Sequence, residues 1–322
     1  MSGLIGREAE RERLETALEQ ARLGHGSIVL LSGEAGVGKT RLAADLAAGS
    51  DAVVLRGAPT RGGAAPYGPV VAALRNFLRT HPAELAEPGP LRAQLALLLP
   101  ELGAPATAAD RPTLFEAIRG AFARVASEQH ALVVLDDLQW SDEATLELLA
   151  ALAEPLGELA VLVIAAYRSD GLPRDHGVRR LRNDLRRTSR LDELVLRPLA
   201  LDETAALLAA ALGEPPAPAL ARAIHDRTEG IPFFVEELAA ALRVSGAVQT
   251  GRRGLELAGD GDVPLPDTVR DAVLISASEL SEAARAAAEV AAVAGETFEL
   301  EPVAALSSDE GLSELVERGL VR

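Results

Sequence analysis

Cysteine is absent from the 322-residue chain, which excludes disulfides and thiolate-bound metals. Lysine is almost absent as well: of 32 basic residues, Lys39 is the one lysine and all the others are arginine. Aromatic residues make up only 3%, which disfavours a strand-rich sandwich and points to helices packed through alanine and leucine. No long apolar run is present. The longest, Leu159 to Tyr167, falls far short of the ~18 residues a membrane span needs. The opening stretch "MSGLIGREAERERLETALEQ" has no apolar signal core, so the expectation is a soluble, cytoplasmic protein with no membrane partner. Positive charge is outweighed by negative, and the formal net charge of −16 repels nucleic-acid backbones at long range. The histidines His25, His81, His130, His176 and His225 lie far apart and show no ligand spacing.

What is present is ample apolar material, 48% of the chain, enough for packed cores and about two or three domains. A charged helix pattern runs over residues 6–23. Continuous apolar runs at 27–33, 51–56, 131–137, 159–168 and 191–199 read as buried strands, alternating with helices at 40–48, 70–80, 91–99, 112–129 and 142–153, the last capped by Ser141. Strands of this kind between helices predict an α/β fold, a five-stranded parallel sheet covered on both faces. After Leu199 the strands stop. Helices are expected at 201–212, 217–228 and 232–245, then a Gly/Asp-rich linker at 251–262, then helices near 267–280, 281–294 and 309–318.

The stretch "SGEAGVGKT" places Gly33, Gly38, Lys39 and Thr40 in the pattern G-x-x-x-x-G-K-[ST], after a predicted strand and before a predicted helix. Glycines let successive backbone N–H groups point into one concavity that holds phosphate oxygens. A helix starting near Lys39 adds its positive end. Glu34, Ala35, Gly36, Val37 and Arg41 complete the loop and its exit. The Thr40 hydroxyl is a candidate magnesium ligand, and Lys39 is a compact charge for the β- and γ-phosphates. A guanidinium is too wide and too rigid for that position, so the single lysine marks where geometry overrides a composition that otherwise uses arginine.

A second half-site is expected at "LVVLDD". Asp136 is assigned to magnesium through its water shell, and Asp137 to the general base that orients or deprotonates the attacking water. Arg168 closes the next strand. C-terminal strand ends cluster on the ligand side of a parallel sheet, which makes Arg168 a candidate sensor of the γ-phosphate.

Together these residues resemble the STAND branch of AAA+ ATPases, and most of all the ATPase segment of the large ATP-binding regulators of the LuxR family. "LIGRE" (residues 4–8) looks like the family's N-terminal motif, whose backbone at Gly6 and Arg7 borders adenine and ribose. "GEAGVGKT" and "LVVLDDLQWSD" look like its two Walker motifs, "AAYR" like its first sensor, and "GIPFFVEEL" (230–238) like the Gly-x-Pro element of the lid, with Pro232 against the base. The resemblance implies a nucleotide domain at 1–198, a helical lid at 199–250 and a winged-helix-like domain at 263–322 that stops where the wing should begin. It implies ATP or ADP with Mg²⁺, slow hydrolysis, and self-association or release of a signalling domain as the output. DNA contact would belong to a C-terminal helix-turn-helix outside this sequence, making the chain a fragment or a shortened relative.

Two other readings remain: a module that keeps ADP as a structural clasp without hydrolysis, and a P-loop kinase. The kinase needs lid arginines clustered over the phosphates, and the lid offers Arg222, Arg227 and Arg243 without such clustering. The arginine-rich helix at 178–190 reads as a solvated face with Leu181 and Leu185 on its packed side. The helix "SSDEGLSELVERG" is acidic and is read as an intramolecular arm rather than a DNA-binding element. Trp140 and the pair Phe233–Phe234 are read as packing residues.

Overall fold

Each apolar run becomes a strand whose alternate side chains serve opposite layers. The computed structural model describes residues 4–59, 66–81, 91–107, 110–258, 280–294 and 308–317. In order they form α1 (Glu8–Arg22), β1 (Ser27–Gly33), α2 (Lys39–Gly49), β2 (Val53–Gly57), α3 (Gly68–Thr80), a single turn α4 (Arg92–Leu95), α5 (Arg111–Val125), β3 (Ala131–Leu135), α6 (Glu143–Leu152), β4 (Val161–Arg168), α7 (Gly177–Arg187) and β5 (Asp192–Val195). The five strands pair in parallel in the order β2-β3-β4-β1-β5.

The two-residue period of a strand sorts these runs. Ile28, Leu30, Val133, Leu135, Val163 and Ala165 face one layer, where α3, α5, α6 and α7 supply Leu74, Ile118, Phe122, Leu149 and Leu181. Val29, Leu31, Leu132, Val134, Leu162 and Ile164 face the other, filled by Leu14 and Leu18 of α1 and Leu42 and Leu46 of α2. With apolar neighbours on both faces, these strands have no polar side to alternate with. One polar network is kept at the layer edge. The Tyr167 hydroxyl donates to Glu193 Oε1 at 2.8 Å, and Arg182 of α7 donates to Glu193 Oε2 at 2.8 Å. Burial, then the bond to Glu193, pushes the Tyr167 phenol up to about 12.

Several expectations are corrected. Of the helix expected at 91–99 only α4 is α-helical, because Pro100 opens a separate 3₁₀ turn (Pro100–Leu102). Helix α6 is capped by Asp142, whose carboxylate accepts from Thr145 N at 2.9 Å, rather than by Ser141. The reading of α7 holds: Leu181 and Leu185 are buried, and most of its arginines are exposed, Arg180 paired with Glu143, Arg182 with Glu193 and Arg187 with Asp184. Trp140 is 46% exposed and joins no core cluster, so it is not a packing residue. Phe233, 38% exposed, makes an edge contact with Phe234 at 5.4 Å between centroids.

Beyond the sheet come α8 (Leu201–Leu212), α9 (Pro218–Thr228) and α10 (Pro232–Ser245). Residues that were expected to begin a linker at 251 instead form a hairpin, β6 (Val248–Gly251) and β7 (Gly254–Leu257), and the remaining residues 259–262 of that linker lie outside the described residues. Leu255 of β7 joins Leu207, Leu208, Leu220, Ile224, Leu238 and Leu242 in a core separate from those of the sheet. Farther on, α11 (Glu282–Ala294) and α12 (Asp309–Glu317) pack through Ala284, Ala287, Ala291, Leu312 and Leu315. Of the helix expected at 267–280, residues 267–279 lie outside the described residues.

Candidate nucleotide site

Strand order decides where the site forms. Strand β4 lies between β1 and β3, so the C-terminal ends of all three stand side by side. Gly33 at the end of β1 is in register with Arg168 at the end of β4, and Asp136 directly follows β3. Residues 33–40 leave β1 as a loop with Gly36 at φ 76° and Gly38 at φ 105°, a left-handed conformation that costs an L-residue about 1–2 kcal/mol. Helix α2 then starts at Lys39 itself, so its positive end points into the same space.

Lys39 is 7% exposed, and its ammonium donates to the carbonyls of Gly33 and Glu34, both at 2.8 Å. Two of its three donors hold the loop, leaving a third for a ligand. Burial pulls its pKa below the ordinary lysine value. Asp170, Asp136 and Asp137 act in the opposite direction, and Arg168 adds to the lowering. Next along the chain, the Thr40 hydroxyl donates to Asp136 Oδ2 at 2.6 Å, and Asp136 Oδ1 accepts from the amide of Asp137 at 2.9 Å. Asp137 takes φ 54° and ψ 39°, which turns its carboxylate into the cleft. Arg168 reaches the same cleft, held by Asp170 at 3.0 Å. The cleft encloses about 370 Å³. Its lining includes Ala35, Gly36, Gly38, Lys39, Thr40 and Arg41 from the loop, and Pro232, Phe233 and Glu236 from α10.

Helix α10 is laid directly over the loop. The Phe233 amide donates to the Gly36 carbonyl at 3.3 Å, and Arg41 pairs with Glu236 at 2.5 Å. A side chain at Gly36 would meet Phe233 Cβ at 2.9 Å. A second, apolar recess next to the loop is lined by Leu4, Ile5, Arg7, Val37, Leu199, Leu207 and Pro232. The structure thus brings together Gly33, Gly36, Gly38, Lys39, Thr40, Asp136, Asp137, Arg168 and Pro232. Gly6, between the recess residues Ile5 and Arg7, takes φ 67°, with the Glu203 carboxyl packed where a Cβ would project. The Arg7 side chain donates to the carbonyls of Val37 at 3.1 Å and Arg197 at 2.6 Å, tying the N-terminus, the loop and the approach to α8 together. Burial lowers its pKa, against the raising effect of Glu10 and Glu203.

Two participants, Gln139 and Glu236, had no part assigned from the sequence, and Phe233, expected to be a packing residue, lines the cleft. Gln139 lies inside the quoted "DDLQW" stretch, yet spacing alone gives it no partner. Glu236 and Phe233 face the loop only because α10 folds back over it.

The donor set suits magnesium. Thr40 and Asp136 offer hard oxygens at one point of the cleft, the type of ligand this ion takes. Among the described residues no group of three acidic, histidine or cysteine side chains is close enough to hold a metal alone.

A glycine loop running from a parallel strand into a helix, with an acid at the end of the strand one beyond its neighbour, defines a P-loop nucleotide-binding protein. The chain belongs to the AAA ATPase domain family, whose model matches residues 3–164. A Walker-type ATPase from Pyrococcus abyssi is similar over 98% of this chain and 90% of its own, with TM-score 0.56 and 15% identity, a likeness of fold. A STAND protein with a tetratricopeptide repeat sensor from Pyrococcus horikoshii covers 100% of this chain and 40% of its own, with TM-score 0.48 and 17% identity. An uncharacterised protein of Rhizobium meliloti (strain 1021) is 26% identical over 347 aligned residues, spanning 97% of this chain. This chain covers 32% of that relative's length. No helix among the described residues is long and apolar enough to cross a membrane.

Proposed function

We propose that the chain is the nucleotide switch of a STAND-type signalling ATPase, binding ATP or ADP with Mg²⁺ and hydrolysing ATP slowly. The observation that carries this reading is the meeting of Lys39, Thr40 and Asp136 in one cleft whose far wall is α10. Bound magnesium would neutralise charge developing on the phosphate oxygens. The chain's own residues do the rest. Loop amides and Lys39 hold the phosphates, Asp137 orients a water and takes its proton, and Arg168 places positive charge by the terminal phosphate. Pro232 and Phe233 sit where the loop and α10 meet, so occupancy of the cleft is read by the lid. The domains of this reading are a nucleotide domain at 1–198, a lid at 199–250 that continues into the β6–β7 hairpin, and a winged-helix-like arm at 263–322. Its output is self-association or release of a signalling domain, and the resemblance to LuxR-family regulators makes transcription the process controlled.

Two variants test the reading. Lys39→Ala removes a charged donor from the phosphates, and ADP affinity measured by calorimetry is expected to fall about ten- to a hundredfold. Unchanged affinity would show that the phosphates lie elsewhere. Asp137→Asn is expected to keep ADP binding while ATP turnover falls at least about a hundredfold. If the purified chain holds ADP, turns nothing over, and is unaffected by Asp137→Asn, the nucleotide is a structural clasp.

A further inference from the structure

Asp137 is a short carboxylate in a costly backbone conformation, and something must hold it there. A left-handed non-glycine residue persists only where its surroundings over-determine it. Asp136 Oδ1 holds the Asp137 amide, and the side chain that holds its carboxylate is Gln139. It is 8% exposed, and both ends of its amide are used. Its Nε2 donates to Asp137 Oδ1 at 2.8 Å, and its Oε1 accepts from the Arg168 backbone amide at 3.0 Å. One side chain therefore spans from the carboxylate after β3 to the last residue of β4.

The main chain of Gln139 is fixed as well. Its carbonyl lies 3.1 Å from His176 Nε2, and His176 Nδ1 accepts from Val178 N at 3.2 Å. Because Nδ1 is an acceptor, the neutral ring carries its proton on Nε2 and donates to Gln139 O. The N-terminus of α7 thus anchors the residue that anchors Asp137.

We infer that Gln139 is a positioning residue for hydrolysis, holding the Asp137 carboxylate towards the attacking water and tying it to the strand end that carries Arg168. The inference rests on the proposed role of Asp137 as base. It requires a side chain that donates at one end and accepts at the other over the length of a glutamine. Glutamate accepts from Arg168 N but sets a carboxylate against Asp137. Methionine fills the volume and makes neither bond.

The order of these variants separates positioning from scaffolding. If Gln139 served only to satisfy the Arg168 amide, Gln139→Glu would behave as wild type and Gln139→Met would be impaired. If it positions Asp137, Gln139→Glu is the worse of the two. The experiment compares ATP turnover, KM and ADP affinity by calorimetry in the wild type, Gln139→Glu, Gln139→Met and Asp137→Asn. The expected result is ADP affinity and KM within about twofold of wild type, kcat lower by about tenfold in Gln139→Met, and lower still in Gln139→Glu. Full kcat in either variant, or a fall in ADP affinity as large as the fall in kcat, overturns the inference. Should Gln139→Glu fail to fold, judged by far-ultraviolet circular dichroism, Gln139→Met is read by its split: a lower kcat with KM and ADP affinity unchanged supports positioning, and full kcat or an equal fall in ADP affinity overturns it. Undiminished turnover in Asp137→Asn would remove the base assignment and this inference with it, whereas loss of turnover there with unaffected Gln139 variants removes this inference alone.

Discussion

Lys39 and Tyr167 show how differently two buried polar side chains are used. The ammonium of Lys39 is desolvated yet keeps a donor for a ligand, a tension that favours binding an anion because phosphate replaces the lost water. Tyr167, one residue before Arg168, is committed to structure. Its hydroxyl bonds Glu193, which Arg182 holds from the other side. Tyr167→Phe is expected to destabilise the sheet by about 1–2 kcal/mol in urea unfolding at neutral pH, since Glu193 loses one partner and keeps the other. The pH dependence follows from the direction of its shift. The folded phenol sits near 12, above its ordinary value of 10.0, so the neutral form is the one the fold favours. That contribution is fully present below about pH 10 and is lost as pH rises towards about 12. The gap between wild type and Tyr167→Phe should therefore be constant up to about pH 10 and narrow above it. A gap that widens on the alkaline side would mean that the phenol ionises more readily in the fold than out of it.

Helix α10 reaches the phosphate loop through the turn before it. Gly230 takes φ 72°, and a Cβ there would lie 2.1 Å from the Leu199 carbonyl. Its own carbonyl accepts from Leu199 N at 2.8 Å, so the strand-to-lid connection and the start of α10 are joined at this one residue. Gly230→Ala adds left-handed strain to a backbone collision, and the expected cost to the lid is about 2–4 kcal/mol. In thermal unfolding followed by hydrogen exchange, α8 to α10 should open early while β1, β3 and β4 keep their protection. Equal loss in both would mean that lid and sheet unfold as one unit. The elements of the sheet were legible in the sequence because an uninterrupted apolar run such as "LAVLVIAAYR" has no polar face to turn to water and so belongs in a strand covered on both sides. The loop motif then fixed which end of the sheet carries the site. The β6–β7 hairpin was not legible. Its strands "VQTG" and "GLEL" are short, and one glycine–arginine stretch reads equally as a linker or a turn. It forms because Leu255 finds a place in the lid core and its backbone pairs with Pro215 and Ala217. The parts of Gln139 and Glu236 were hidden for the same reason: both depend on contacts between segments far apart or on how a turn closes.

At the scale of the whole molecule, the lid has its own hydrophobic core, which reaches back to the sheet domain at a few points. Ile5 packs against the lid core, and Glu203 of α8 sits over Gly6. Arg7 ties the phosphate loop to the carbonyl of Arg197, and α10 contacts the loop through Phe233, Ile231 and Glu236. The Arg41–Glu236 pair is largely solvent-exposed, and such pairs contribute only about 0–1 kcal/mol. Two bodies with separate cores, joined by few contacts around a ligand cleft, can change their relative position at smaller cost than either core can be opened. A ligand shifts that equilibrium only by its differential affinity for the two arrangements. The residues able to supply the difference are those in the cleft that belong to the lid, Pro232, Phe233 and Glu236. Hydrogen exchange with and without Mg-ADP should therefore show protection gained in the loop at 33–40 and in the first turn of α10 together. Helix α5, in the core layer on the opposite face of the sheet from α2, should be unchanged. Protection confined to the loop, with α10 exchanging as before, would mean that the lid does not sense the nucleotide and that any switching is driven from elsewhere in the chain.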